Sequence, residues 1–261
     1  MTKVQRQEEQ VFERLRSAGQ LSNEQAQRML GVSASTVRRL FMSLEASGRA
    51  VRKFGGLQYV PDGKTVYSFE EQEVLRVEEK QAIAAEAAKL VESDDALYID
   101  WGTTVSRLCV QLAKRVKGGE IQNVTVFTNS MTNISLLSDT CSVFCVGGMY
   151  RANRKEFTGY LAEETVRNLA FTKAFVSSDG YNPALGFTTF DFNSARLCEA
   201  VFANANQKIV LMDSSKYDAF ATVSFSRRYT VDLLITNARP PESAREAMQR
   251  QVKEVRIAPG A

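Results

Sequence analysis

Five short polar clusters are spaced along the C-terminal two-thirds of the chain, and their residue types suit the capture of an anion. They are Asp100-Trp101-Gly102-Thr103-Thr104, Thr128-Asn129-Ser130, Gly147-Gly148 followed by Arg151, Ser178-Asp179-Gly180, and Asp213-Ser214-Ser215-Lys216. Glycine admits a ligand close to the backbone, hydroxyls and helix-start amides bond phosphate oxygens, and Arg151 or Lys216 supplies the compensating charge. The same residues permit an alternative, a phosphosugar isomerase in which Asp100 or Asp179 is the base and Lys216 the electrostatic helper. Other chemistries are closed. No histidine occurs in the 261 residues, which removes Ser-His-Asp hydrolysis and the commonest zinc ligand sets. No cofactor and no metal are expected. The four cysteines, Cys109, Cys141, Cys145 and Cys198, are too few and too scattered for a disulfide framework, and Cys141 and Cys145 fall in an apolar run that predicts buried thiols.

A second set of residues suits a different partner. Val37, Leu40, Phe41 and Leu44 follow the i, i+3, i+4, i+7 rule, so the opposite helix face presents Ser35, Thr36, Arg38, Arg39, Met42 and Ser43. Small hydroxyls at a helix start allow close approach to a DNA groove, and the paired arginines suit guanine edges or phosphates. Arg52 and Lys53 lie where a wing would touch a flanking phosphate or the minor groove. Charge agrees. Residues 1–60 carry ten Lys/Arg and five Glu, a net of +5, which leaves −2 for the remainder of a chain whose total is +3. A basic head suits a polyanion.

The elements that position these groups are legible from periodicity and breakers. Val11, Leu15 and Ala18 mark a first helix ended by Gly19. Ser22 and Gln25 form a capping box for a short second helix that stops at Gly31. Ser33 caps the third helix, and Gly48 ends it. Two extended runs joined by Gly55-Gly56 read as a hairpin. Residues 1–60 are therefore expected to be a winged helix-turn-helix. Pro61-Asp62-Gly63 opens a linker over 61–75, with a long helix over 70–92 and the second domain running 76–261. From residue 96 strand-like runs alternate with helical ones: Ala96–Asp100, Val124–Thr128, Ser142–Val146, Ala174–Ser178, Lys208–Met212, Asp232–Thr236 and Glu254–Ile257. That alternation predicts an α/β domain with a mostly parallel sheet and helices on both faces, where ligands collect at the carboxyl ends of strands. No apolar run reaches the length of a membrane span and the N-terminus has no signal-peptide pattern, so the expected location is the cytoplasm.

These residues resemble those of the DeoR family of transcriptional regulators over nearly the whole chain. In the head the resemblance rests on Leu30-Gly31-Val32-Ser33, Thr36-Val37-Arg38-Arg39, Leu44-Glu45 and Gly55-Gly56. In the body it rests on Glu79-Lys80, Ile83-Ala84, Asp100-x-Gly-Thr-Thr104, Thr128-Asn-Ser130, Gly147-Gly148, Asp179-Gly180, Gly186-x-Thr188-Thr189 and Asp213-Ser-Ser-Lys216. The resemblance implies a repressor of a carbohydrate-utilisation operon that binds a double-stranded DNA operator. It also implies a sensor fold similar to ribose-phosphate isomerases, a phosphorylated sugar as effector, and a homodimer or homotetramer. The chain departs from the family at Leu40, where an acid is usual, at Ser194 and Cys198, where an acid and a lysine are usual, and at Asn237.

Overall fold

Strands rich in Val, Ile, Leu and Phe that are covered on both faces need a partner layer on each side, and the chain supplies helices between them. The computed structural model describes residues 3–46, 50–53, 55–59, 67–217, 219 and 221–259, with backbone alone for 3–5, 45–46, 51–53 and 58. They divide into two compact units at Tyr67/Ser68.

The first unit contains α1 (Lys3–Ala18), β1 (Gln20–Ser22), α2 (Asn23–Leu30), α3 (Ala34–Ala46), β2 (Ala50–Lys53) and β3 (Gly56–Tyr59). Its core is Val11, Leu15, Leu21, Ala26, Val37, Leu40, Phe41, Leu44, Ala50 and Leu57, ten apolar side chains from every one of these elements. Ala18, expected on the apolar stripe, is exposed. The capping box forms as the spacing predicts, with the Gln25 amide donating to Ser22 Oγ at 3.1 Å and the Ser22 amide to Gln25 Oε1 at 2.9 Å. Gly31 adopts φ 61°, a left-handed cap closed by its own amide on the Gln27 carbonyl. The hairpin β2–β3 gains a third strand, because β1 pairs antiparallel with β3. Gly48, Phe54 and Pro61-Asp62-Gly63 lie outside the described residues.

The second unit opens with α4 (Phe69–Glu73) and α5 (Val77–Ala88). These replace the single helix expected over 70–92: Arg76 takes φ 51° and breaks it. Residues 68–75, expected within a linker, pack into this unit through the buried Phe69. There follow β4 (Ala96–Ile99), α6 (Thr103–Lys117), β5 (Thr125–Thr128), α7 (Met131–Leu137), β6 (Ser142–Cys145), the hairpin β7 (Met149–Arg151)–β8 (Glu156–Thr158), α8 (Tyr160–Arg167) and β9 (Phe171–Ser177). After these come β10 (Gly180–Asn182), β11 (Gly186–Thr189), α9 (Phe192–Ala203), β12 (Ala205–Leu211), β13 (Val223–Ser224), β14 (Val231–Thr236), α10 (Glu242–Gln251) and β15 (Val252–Ile257).

All seven expected strands join one sheet in the order β15-β14-β12-β9-β4-β5-β6, and every pairing within it is parallel. The pleat sorts its side chains into two cores. Tyr98, Ala174, Val176, Val210 and Leu234 face α8, α9 and α10, whereas Leu97, Ile99, Phe175, Ile209, Leu211 and Leu233 face α5 and α6. The sequence-based expectation of two buried thiols fails at both: Cys145 is exposed and Cys141 half-buried, because β6 is an edge strand.

Candidate functional site

Strand order decides where a ligand can enter. From β4 the chain runs outward through β5 and β6, then returns to the other side of β4 for β9, β12, β14 and β15. The switch point of the sheet therefore lies between β4 and β9, the position at which an open α/β sheet parts to form a crevice. Asp100 bridges it. Its Oδ2 accepts from the Ser177 amide at 2.7 Å and from Ser177 Oγ at 3.0 Å, and its Oδ1 accepts from the Gly102 amide at 2.9 Å. Burial pushes this carboxyl up to about 6 against those three donors. Gly102 is required there, since a Cβ would stand 1.9 Å from Ser177 Oγ.

A small pocket opens beside this bridge, lined by Asp100, Trp101, Ser177, Asp179, Thr189, Ser194, Cys198 and Phe225. Around it runs a charged network in which Arg154 is central and 2% exposed. The guanidinium lies 4.0 Å over the Trp101 ring, with Nε 2.9 Å from Glu156 Oε1 and Nη2 3.4 Å from Asp179 Oδ2. Asp179 Oδ2 also accepts from Thr189 Oγ1 at 2.7 Å. Ser194 Oγ donates to Glu156 at 3.0 Å. Burial raises Glu156 to about 7, opposed by Arg154 and Ser194.

On the α5–α6 side of the sheet lies a group of cations. Lys80, on α5, is 3% exposed, and Asp213, Lys216, Arg107 and Arg76 act on its charge. Burial lowers the Lys80 ammonium from 10.5 to about 8; Asp213 opposes that shift, while the three other cations add to it. Arg76 Nε is 3.6 Å from the buried Asp213, and the Arg107 Nε is buried without a hydrogen-bond partner among the described residues. Arg107 stands one turn after Thr103 on α6, whose N-terminus at Gly102 carries no capping side chain. Lys80 is thus flanked by three further cations and by the buried carboxylate of Asp213, which Arg76 contacts.

The expected ligand residues divide accordingly. Asp100, Gly102, Thr103, Thr104, Asp179 and Thr189 sit at the β4 and β9 ends and their flanks, Thr103 and Thr104 on the first turn of α6, and Lys216 falls in a single 3-10 turn, Ser214–Lys216, in the cation group. Others have framework partners. Asn129 accepts from the Tyr98 hydroxyl at 3.0 Å and donates to the Phe157 carbonyl, and Ser130 caps α7 through the Asn133 amide. Gly148 lies against the Thr158 carbonyl, where a Cβ would stand 2.5 Å away, and Gly147 precedes it at the start of the hairpin. Gly180 and Thr188 pair across β10–β11 and do not line the pocket, although their neighbours Asp179 and Thr189 do. Arg151 is taken up by ion pairs with Asp191 and Glu156. Sequence reasoning passed over Arg76, Arg107, Arg154, Glu156 and Ser177 as site residues. Lys80 carried a usable signal: it occupies the stripe continued by Ile83, Ala84 and Ala87, where a lysine needs a reason.

In the first unit, Ser35, Arg38, Arg39 and Met42 are exposed on α3, and Thr36 is half-buried beside Ser33, 3.1 Å between hydroxyls. Neither arginine makes an ion pair with a described residue. Ser43, expected on the same face, instead donates to Glu8 of α1 at 2.9 Å. Arg52 and Lys53 belong to β2, and their side chains lie outside the described residues.

Two family models match this arrangement: a DeoR-like helix-turn-helix domain over residues 6–62 and the DeoR C-terminal sensor domain over 75–238. The chain belongs to the DeoR family. It is a transcriptional regulator with a DNA-binding head and a sensor domain, and its relatives bear the names of regulators and repressors rather than enzymes. This DeoR-family chain is 28% identical to the HTH-type transcriptional regulator GolR of Listeria innocua, covering 88% of this chain and 89% of that one. It is 29% identical, over the same shares, to the lactose phosphotransferase system repressor of Lactococcus lactis. Ribose 5-phosphate isomerase A of Methanocaldococcus jannaschii aligns with 53% of each chain at 19% identity and a TM-score of 0.40. No described helix is long and apolar enough to cross a membrane.

Proposed function

We propose that this regulator is a cytoplasmic repressor of a carbohydrate-utilisation operon whose effector is a phosphorylated sugar. The observation that carries the effector class is the excess of positive charge beside the sheet switch: Lys80, Arg76, Arg107 and Lys216 against two carboxylates, Asp213 and the Glu79 that pairs with Arg76. Of these Lys80 is buried and Arg107 and Lys216 half-buried; charge so placed is costly unless paired, and a phosphate dianion would offset it. The phosphate would lie against Lys80, Lys216 and the Arg107 Nε, with the first turn of α6, Thr103 and Thr104, adding backbone donors. The sugar hydroxyls would then reach the pocket beyond Asp100, where Asp179, Thr189 and Ser194 offer acceptors and hydroxyls and Trp101 offers a flat apolar face. The name of the lactose phosphotransferase repressor favours a sugar over other phosphorylated metabolites. Ser35, Thr36, Arg38 and Arg39, with Arg52 and Lys53 of the wing, would contact the operator, and a homodimer or homotetramer would engage repeated half-sites.

Calorimetry that pairs each sugar phosphate with its unphosphorylated parent tests the effector class. A phosphate-dependent gain of at least tenfold, lost in Lys216→Ala, is expected from one charge-assisted contact of about 1.5–3 kcal/mol. Equal binding of both forms would remove the phosphate from the reading while leaving the regulator in place.

A further inference from the structure

Helix α4 is the first element after the DNA-binding unit in the chain, and it is fastened at both ends. At its start Phe69 is fully buried, its amide donates to the Asn153 carbonyl at 2.9 Å, and Lys155 reaches both Glu70, at 3.0 Å, and the Phe69 ring. Asn153 and Lys155 belong to the turn of the β7–β8 hairpin, which also carries Arg154 and Glu156 of the switch-point network. At its other end the fastening is of a different kind. Lys80 Nζ donates to the Gln72 carbonyl at 2.5 Å, and Arg107 Nη2 donates to the Glu73 carbonyl at 2.7 Å. The last carbonyls of a helix lack their usual partner four residues on; the Gln72 carbonyl also accepts from the Leu75 amide at 3.3 Å, and the two cations add charged donors to it and to the Glu73 carbonyl. Both belong to the cation group assigned above to a phosphate.

Lys80 and Arg107 each have further donors, the Arg107 Nε among them, and a phosphate that takes these draws the cation toward itself and away from the carbonyl it now holds. A dianion offers more charge and more acceptor atoms than a peptide oxygen, and charge-assisted bonds are about twice as strong as neutral ones. We propose that α4 is a ligand-released latch. Phosphate occupancy withdraws Lys80 and Arg107 from the Gln72 and Glu73 carbonyls, so the C-terminal end of α4 loosens while Phe69 stays anchored. The hinge for this is already present. Arg76, between α4 and α5, holds φ 51°, a left-handed conformation that costs a non-glycine residue steric strain. Its guanidinium is tied to Glu79 and to Asp213, the carboxylate of the same group. Ligand state would thus be read at the segment that leads to the head. The inference rests on the anion reading of the cation group, and hydrogen exchange on the full-length protein separates the two.

With inorganic phosphate against chloride at matched ionic strength, residues 103–107 are expected to gain protection and residues 69–76 to exchange faster, by on the order of tenfold. Gain at 103–107 with no acceleration at 69–76 overturns the latch and keeps the anion site. No change at either place overturns both. A second arm needs no ligand: Arg107→Gln, which removes the charged donor to Glu73, should accelerate 69–76 in plain buffer. Unchanged exchange at 205–211 serves as the check that the sheet is folded. Normal protection of 69–76 in that variant would show that the bond holds nothing and would sink the proposal. The conservative change Arg107→Lys, which keeps a cationic donor at the position, should restore part of the protection.

Discussion

Lys80 shows how a single side chain carries both structure and ligand chemistry. It stands on the core stripe of α5 and is held below its ordinary value by burial, with three cations adding to the effect. The folded state therefore releases the proton near pH 8 and the unfolded chain near 10.5. Between those values the unfolded state binds more protons, so stability contributed by this residue rises as pH rises through the window and is lost as pH falls back to about 8. Denaturation midpoints measured between pH 7 and 10 should show this rise, and Lys80→Gln should flatten it. An anion pulls the other way, since it favours the protonated amine. Effector binding near and above pH 8 should take up protons, seen as a buffer-dependent heat in calorimetry, and affinity should fall as the amine deprotonates. A buffer-independent heat would exclude Lys80 from the ligand. On the DNA side, Arg38 and Arg39 project from α3 with no ion-pair partner among the described residues to lose. Replacing both with alanine should cost operator binding more than tenfold, at about 1–3 kcal/mol for each good base contact, with no change in melting temperature. A mobility-shift titration at fixed salt reads this directly.

At the scale of elements, the meeting of β4 and β9 is the most constrained place in the sensor unit. Asp100 ties the two strand ends, and Gly102 lies so close to Ser177 that any side chain would drive them apart. Gly102→Ala should destabilise the protein by about 1–3 kcal/mol through overpacking, read as a lower urea midpoint with an unchanged slope. It should also weaken the effector, because α6 starts there. A variant as stable as the parent would show that the β4 and β9 ends are free to separate. The same contact explains why Asp100 is not poised as a catalytic base: its oxygens are spent on three donors that hold the crevice together. Asn237, one of the departures from the family pattern, has a similar role, accepting from the Ser214 amide at 2.7 Å and so tying the end of β14 to the turn that carries Lys216.

At the scale of the whole molecule, one small head offers too few base contacts for useful specificity, so operator binding should require at least a dimer. Light scattering of the complex tests this, and a monomer bound at full affinity to one half-site would refute it. The sole tryptophan of the chain, Trp101, lies in the sensor pocket against Arg154. Its fluorescence should therefore respond to the effector, and operator DNA should shift that titration by the same factor by which the effector shifts operator affinity.

Local pattern was enough to set the elements. Period-3.6 stripes, the Ser22–Gln25 box and the apolar runs named three head helices and all seven sheet strands, because capping and amphipathicity depend on residues a few positions apart. Those same rules misread 70–92, where Glu, Ala and Lys favour continuous helix but the docking of Phe69 and the pairing of Arg76 with Asp213 break it at a left-handed residue. The polar strand ends were equally legible as a set, yet their division was not. Whether Asn129, Gly148 and Arg151 meet a ligand or the framework depends on which strands become neighbours, and strand order joins residues 31 to 78 positions apart, as in Tyr98–Asn129 and Lys173–Asp95. The convergence of Lys80, Arg107, Asp213 and Lys216 is of that kind: their segments meet only once β4, β9 and β12 lie side by side, and only then does an ordinary set of charged residues become a local excess of positive charge.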